Sequence, residues 1–337
     1  MSKKFKEVAK IVSGKNVVKK MIIDAYENSG KTEYDLNMFK DFELLGEGGF
    51  GKVYKAYDNK TDKTIVIKVI SKARVSSVDI EQELKVLEHL KPYCDQYILC
   101  FEDWFQDYDN WYIITEFLHE YITLADLKLY GKIKDPLNVT DINRLLGIIN
   151  NMYLGLKEIH VHNVSHRDVK PENILVDKEG TSIKYIDFGF ACINNVCADN
   201  NKIKGSPIFI APDYLLIALN KGNPKSVDTQ KLDIWALACT IYELIIGETP
   251  YQIWFKRQIR RGRRFESAMD SLTKYQMYWQ YFYKKNATFR FDKKVEEFLG
   301  KINMSLKNMF IKDPNLRSLN MDKQTLKNVA SKCPIRQ

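Results

Sequence analysis

Little in these 337 residues could build a metal cage or a covalent framework. The six cysteines are Cys94, Cys100, Cys192, Cys197, Cys239 and Cys333. None forms a C-x-x-C pair, and no histidine stands at metal-ligand spacing from them. This argues against a zinc site and against a disulfide scaffold, so the cysteines read as reduced thiols in a cytosol-like compartment. Long apolar runs are also missing. The longest, residues 234–246, contains Glu243 and is too short to cross a bilayer. The opening MSKKFKEVAKIVSGK interrupts each apolar run with Lys or Glu, unlike a secretory signal. No internal repeat is present. What remains is a composition fit for a folded core: 45% hydrophobic residues, in a length that suits one large or two ordinary domains. The formal net charge of +9 fits a surface that attracts acidic partners, nucleic acid or anionic membrane, and equally one that is simply well solvated.

The patterning divides the chain. Residues 1–40 are Lys-rich and mixed, an extension with room for one helix. From Phe42 the pattern turns strand-like: Phe42 and Leu44, then Val53, Tyr54, Ala56 and Tyr57, flank a glycine cluster, and residues 65–70 form a β-branched run. Ser76, three residues before Asp79 as in a capping box, opens a helix with Ile80, Leu84, Leu87 and Leu90 at helical spacing. WYIITEFL, residues 111–118, reads as a buried strand. Thr140 is the expected cap of a helix whose Ile142, Leu145, Leu146, Ile149, Met152, Tyr153, Leu156 and Ile159 make one stripe. Short strands at 174–176 and 183–186 precede an irregular segment to Pro212. Residues 232–246 are apolar nearly all round, as in a fully buried helix, with Gly247 and Pro250 as its stop. The layout is α+β: a small β-rich lobe, then a larger helical one, joined near Leu118.

Chemistry concentrates in a few stretches. GEGGFGKV holds Gly46, Gly48 and Gly51; glycines let a backbone approach phosphate oxygens and offer N–H groups. A strand-like sequel at 53–57 makes this a flap between strands rather than a dinucleotide fingerprint, and a plain glycine-rich hairpin has the same look. Lys68 ends IVIK inside the β-branched run, where a lysine is either an edge contact with solvent or a phosphate ligand held by a carboxylate. Glu83 falls on the apolar stripe of its helix, unlike Glu81 and Glu88, and a carboxylate there needs a charged partner; Lys68 is the candidate. HRDVKPEN, residues 166–173, packs six polar residues before an apolar run and is followed by Asp187-Phe188-Gly189. Asp168, Asn173 and Asp187 offer the hard oxygens that suit Mg²⁺, and one acid can stay off the metal to accept a hydroxyl proton. A solvated turn has a similar spacing.

In order along the chain stand GEGGFGKV, IVIK, a helix with Glu83, HRDVKPEN, DFG, SPIFIAPD and DIWALA. Taken together they resemble the eukaryotic protein kinase family, serine/threonine type, from Phe42 to the 320s. The resemblance implies the two-lobed kinase fold, with an N-lobe of about 41–118 carrying one key helix and a mainly helical C-lobe of about 119–330. Residues 1–40 and 331–337 are then extensions. It implies ATP and Mg²⁺ as cofactors and a protein with a Ser/Thr acceptor as substrate. For ATP it marks the flap (Leu45, Gly46, Glu47, Gly48, Gly49, Phe50, Gly51, Lys52 and Val53), Lys68 with its partner Glu83, the hinge from Glu116 to Leu118 behind a gatekeeper Thr115, and Leu175 opposite Val53. It marks Asp168 as catalytic base, Lys170 as the cation on the γ-phosphate, Asn173 and Asp187 as metal ligands, and Asp233 as an anchor for the catalytic-loop backbone. Lys170 is the serine/threonine signature; tyrosine kinases place Ala-Ala-Arg or Arg-Ala-Ala there. Glu172 hints at a preference for an upstream Arg in the substrate.

Departures from the family pattern are few. Val66 replaces an Ala and crowds the roof of the adenine pocket. Asp213 replaces the Glu of APE and must reach an arginine, for which Arg317 is the candidate. DIWALA keeps small residues at Ala236 and Ala238. Between Asp187 and Ser206 there is no Ser, Thr or Tyr, so Arg167, whose family role is to hold a phosphate in this segment, has none to meet; Asp199 is a substitute. KRQIRRGRRF, residues 256–265, is six-tenths Lys or Arg. It is a solvated face, or a docking patch for an acidic partner at 256–264, or a nuclear import signal. The aromatic run at 275–283 reads as core, which disfavours nucleic acid. The competing function is a pseudokinase scaffold. The expected location is intracellular, cytoplasmic or also nuclear.

Overall fold

The computed structural model describes residues 34–49, 51–94, 96–127, 139–197, 204–211, 213–214, 228–262, 273–274, 277–278, 306–311 and 313–319. Of the extension expected at 1–40, residues 1–33 lie outside them, as does the tail at 331–337. The chain divides into two compact units: Met1–Asp95 with Leu99–His119, and Gln96–Ile98 with Glu120–Gln337.

The first unit holds β1 (Phe39–Glu47), β2 (Gly51–Asp58), β3 (Lys63–Ser71), α1 (Ser77–Leu90), β4 (Phe101–Gln106) and β5 (Asn110–Glu116). The strands form one antiparallel sheet in the order β1-β2-β3-β5-β4. On β3 the period of two sends Ile65, Ile67 and Val69 into the core and leaves Val66 and Lys68 on the opposite face. The core adds Phe39, Tyr54, Ala56, Phe105, Tyr112 and Ile114, with Phe105 and Tyr112 stacked at 4.4 Å. The sheet therefore begins at Phe39, earlier than the pattern at Phe42 announced. β5 ends at Glu116, so Phe117 and Leu118 leave the ladder. β4 escapes a periodicity reading because a register shift between Phe101 and Asp103 breaks its alternation.

The second unit carries β6 (Tyr121–Thr123), α2 (Val139–Val161), β7 (Val164–Ser165), β8 (Ile174–Asp177), β9 (Ile183–Tyr185), β10 (Cys192–Ile193), α3 (Thr229–Ile246) and α4 (Pro250–Arg260). One small sheet runs β6-β8-β9, another pairs β7 with β10. Residues Gln96–Ile98 belong here because Tyr97 O accepts from Tyr185 N (2.8 Å) and Ile98 O from Lys184 Nζ (3.3 Å). α2 already includes Val139, so Thr140 sits in its first turn and is not its cap. Its stripe from Leu145 to Ile159 is buried. α3 is buried on nearly every face and ends at Gly247, whose φ of 82° favours a residue without Cβ. Pro250 does not stop α3; it stands in the first turn of α4, behind a Thr249–Gln252 capping box. Among the described residues no helix is long and apolar enough to cross a membrane.

Candidate active site

In the first unit the β1–β2 hairpin exposes Leu45 to Gly49, tied by Gly48 N donating to Gly51 O (2.9 Å) and by the Lys52–Glu47 ion pair (3.5 Å). Phe50 lies outside the described residues. A Cβ on Gly46, Gly48 or Gly49 would meet nothing within 4 Å, whereas one on Gly51 would sit 1.9 Å from Val69 O. The first three leave their backbone open to a ligand; Gly51 is fixed by its strand neighbour. Val53 lies opposite Lys68 on the face away from the core. Lys68 Nζ meets Glu83 Oε1 at 2.6 Å. The cause is local: Ser76 caps α1 by accepting from Asp79 N, and the helix then presents Glu83 among buried Ile80, Leu84, Val86 and Leu87. A carboxylate so placed needs its cation. Thr115 is buried on β5, and Glu116 Oε1 accepts from Cys100 N (2.8 Å).

In the second unit the loop after β7 is gripped from below. Asp233, fully buried on α3, accepts from His166 N and Arg167 N, both at 2.7 Å, and pairs with His160 Nε2 at 2.9 Å. His166 is fully buried, its Nε2 on Ile186 O (2.9 Å) and its ring against Phe188. This backbone grip holds Arg167 in the left-handed region (φ 64°), a strained state for a residue with a Cβ. Asp168 then faces three donors. Lys170 Nζ lies 2.8 Å and Asn173 Nδ2 2.9 Å from Oδ2, and Ser206 N donates to Oδ1 at 2.8 Å. Lys170 also donates to Ser206 Oγ (2.9 Å). Asn173 N–H groups serve the Asp168 carbonyl (2.9 Å) as well, so its amide oxygen is the atom left for a cation. Ile186 N donates to Asn173 O (3.0 Å), which sets Asp187 beside it, again at positive φ (61°). An amide oxygen and a carboxylate are hard donors that fit Mg²⁺. Leu175 is half-buried on β8, opposite Thr123 of β6.

The segment after Asp187 holds residues that sequence reasoning passed over. Ile193 and Val196 bridge across Asn194 and Asn195, whose φ values of 51° and 61° make a two-residue hairpin turn. Such a turn sets the flanking residues opposite each other, and Cys192 and Cys197, with Cα atoms 4.9 Å apart, are disulfide-bonded. The expectation of six reduced thiols is corrected for this pair. The signal was present as C-I-N-N-V-C, with the cysteines equidistant from an Asn-Asn turn. Arg167 Nη1 donates to Cys192 Sγ (3.1 Å) and Phe190 O (3.3 Å), and Nη2 to Tyr214 OH (3.0 Å). Asp199 lies outside the described residues. Gly205 was also missed: at φ 101° a Cβ there would sit 2.6 Å from Arg167 O, so only glycine lets Ser206 reach Asp168.

Asp213 bonds Arg317 Nη2 with one oxygen, and among the described residues its other oxygen, Oδ2, is buried without a hydrogen-bond partner. Arg317 is fully buried, with Nε on Ile311 O (2.7 Å) and its guanidinium over Trp235. Of the basic stretch, Lys256, Arg257, Arg260 and Arg261 are exposed and Lys256 pairs with Glu248 (3.1 Å); Arg263 and Arg264 lie outside the described residues. Of the aromatic run, Tyr278 is buried against Tyr251 and Trp254.

Comparison with known proteins adds a lineage to this geometry. The family described as protein kinase domain matches residues 39–325. The chain is similar to the serine/threonine-protein kinase TIO of Arabidopsis thaliana, 31% identical over 213 residues, covering 62% of this chain and 15% of that protein. A probable serine/threonine-protein kinase of Dictyostelium discoideum is 31% identical over 245 residues, 64% of this chain and 49% of its own. Human serine/threonine-protein kinase ULK3 is 29% identical over 213 residues, 62% of this chain and 42% of its own. The matched region thus spans less than half the length of each of these relatives. A match over nearly the whole described fold, joined to relatives of one kind, makes the chain a member of the eukaryotic protein kinase family, on its serine/threonine side.

Proposed function

We propose that this chain transfers the γ-phosphate of ATP, with Mg²⁺, to a Ser or Thr hydroxyl of a protein, within a kinase domain of about residues 41–330. The observation that carries the reading is the carboxylate of Asp168, nearly buried and met by Lys170, Asn173 and the Ser206 amide at 2.8–2.9 Å. A hydroxyl placed there gives its proton to Asp168 while Lys170 steadies the transferring phosphoryl group. Lys68, oriented by Glu83, takes the α/β-phosphates under the glycine flap. Asn173 and Asp187 would hold Mg²⁺, which would supply neutralisation of phosphate charge. Val53 and Leu175 flank the adenine, and the backbone from Glu116 to Leu118 reads its edge. Arg167 is engaged by neutral groups, which supports an activation segment ordered without phosphorylation. Glu172 is exposed, which supports a preference for an upstream Arg. The exposed cations of α4 support an acidic partner, and the buried Tyr278 supports a core role for the aromatic run rather than contact with nucleic acid. An intracellular site of action, cytoplasmic or also nuclear, completes the proposal.

Transfer of labelled phosphate from Mg-ATP to a generic protein tests it. Asp168→Asn should slow transfer by about 10²–10⁴-fold, the share a general base supplies, with nucleotide binding retained. Unchanged transfer in that variant sinks the assignment. Nucleotide bound by the natural chain without any transfer favours the second reading, a pseudokinase scaffold, whose one support is the bulk of Val66.

A further inference from the structure

Among the described residues, the partners of the Arg167 cation are all uncharged. Among the described residues no carboxylate pairs with its guanidinium; Phe190 O, Cys192 Sγ and Tyr214 OH receive its protons, and Nε is buried without a partner. No side chain from 188 to 205 carries a hydroxyl that could be phosphorylated. The feature that fixes the segment against Arg167 is covalent: the bond between Cys192 and Cys197 closes the hairpin across Asn194–Asn195. That hairpin is itself docked. Asn194 N donates to Asn163 O (2.8 Å), and Asn195 Oδ1 accepts from Thr229 N (3.0 Å) at the start of α3. Cys192 pairs with Ser165, at the entrance to the catalytic loop.

We infer that the Cys192–Cys197 disulfide is a reversible redox site that stands in for an activating phosphate, holding Arg167, and through it the catalytic loop, in working order when oxidised. The inference rests on the kinase reading above.

The two sulfurs differ in a way that suits exchange. Cys192 is fully buried, while Cys197 is part-exposed. A thiolate from a dithiol reductant therefore attacks Cys197 Sγ. The S–S bond breaks, its electron pair leaves on Cys192 Sγ, and the reductant is held as a mixed disulfide on Cys197. The Arg167 guanidinium, 3.1 Å from Cys192 Sγ, favours negative charge on the leaving sulfur. The second thiol of the reductant then displaces Cys197, which takes up a proton, and the reductant departs as its own disulfide. A small-molecule disulfide reverses the sequence through the Cys192 thiolate. In a reducing compartment a bond this accessible cycles, as redox-sensing disulfides do.

Reduction places two thiols at van der Waals separation where one bond stood. The displacement falls on the sulfur that Arg167 touches, one residue before Asp168. The next contact also passes through Arg167: its carbonyl abuts Gly205, whose neighbour Ser206 donates to Asp168. The pair acts by positioning and touches no substrate.

The test uses the full chain, purified without reductant. A non-reducing peptide map should show Cys192 linked to Cys197. Mg-ATP phosphotransfer should fall by about fivefold or more on treatment with dithiothreitol, the lower end of ordinary coupling between sites, and return after glutathione disulfide. Cys197→Ser should be as slow as the reduced chain and indifferent to reductant; Cys94→Ser and Cys333→Ser should respond as the natural chain does. Hydrogen exchange should quicken over residues 163–167 and 190–197 on reduction. Equal or higher transfer after reduction, a map without the link, or a Cys197→Ser variant as fast as the oxidised chain overturns the inference. If no phosphotransfer occurs in either state, the kinase reading fails instead, and the exchange experiment decides alone: unchanged exchange over both stretches still refutes the redox site.

Discussion

At Gly51 a Cβ would lie 1.9 Å from the Val69 carbonyl oxygen, whereas at Gly46 it would meet nothing within 4 Å. Both belong to one glycine cluster, so their substitution separates packing from ligand approach. Gly51→Ala should cost about 1–3 kcal/mol of stability, the usual penalty for forcing atoms into a filled site. Gly46→Ala should stay within about 0.5 kcal/mol. Urea unfolding of both variants measures this, and equal losses would remove the distinction. Single residues were legible in the sequence where burial forces a partner. Glu83 on an apolar stripe demanded a cation and meets Lys68 at 2.6 Å. Asp233 was marked by the family resemblance alone, and it takes two backbone N–H groups. Gly205 was not legible, because its need for glycine comes from a carbonyl 38 positions earlier that only the fold brings near.

Among the elements, those with a long period were legible and those without one were not. α1, α2 and α3 run 14, 23 and 18 residues, enough for a stripe or an all-round apolar face to show. β6, β7 and β10 have three residues or two, too few for any alternation. Cys192 and Cys197 went unrecognised for the same reason, since their pairing depends on a turn rather than on a periodic pattern. α4 is amphipathic in a different sense. Tyr251, Trp254 and Gln258 are buried, while Lys256, Arg257, Arg260 and Arg261 line its exposed side. Replacing those four cations with Gln should leave the melting temperature in place, because exposed charges contribute little to stability. Binding to poly-glutamate at low salt should weaken by about tenfold or more, with a shallower salt dependence. Identical titration curves for the natural chain and this variant would leave α4 as a solvated face and no more.

At the scale of the whole molecule, buried phenols set an alkaline limit. Burial pushes Tyr112, Tyr185 and Tyr278 well above the ordinary phenol value of 10.0. The folded state therefore keeps protons that the unfolded chain begins to lose near that pH. Their contribution is whole below about pH 10 and is lost progressively as pH rises above it. Unfolding free energies should hold nearly level between pH 9 and 10 and fall between pH 10 and 11, and Tyr278→Phe should lessen that fall; a fall indifferent to that substitution would assign the alkaline loss elsewhere. Asp233 has a consequence of the same reach. It joins His160 of α2, the catalytic-loop backbone and its own helix α3 through one buried carboxylate. The loop that carries Asp168 thus has no melting transition of its own. On heating the disulfide-bonded chain, its geometry persists until the helical interior opens, so loss of the loop and unfolding of that unit share one midpoint.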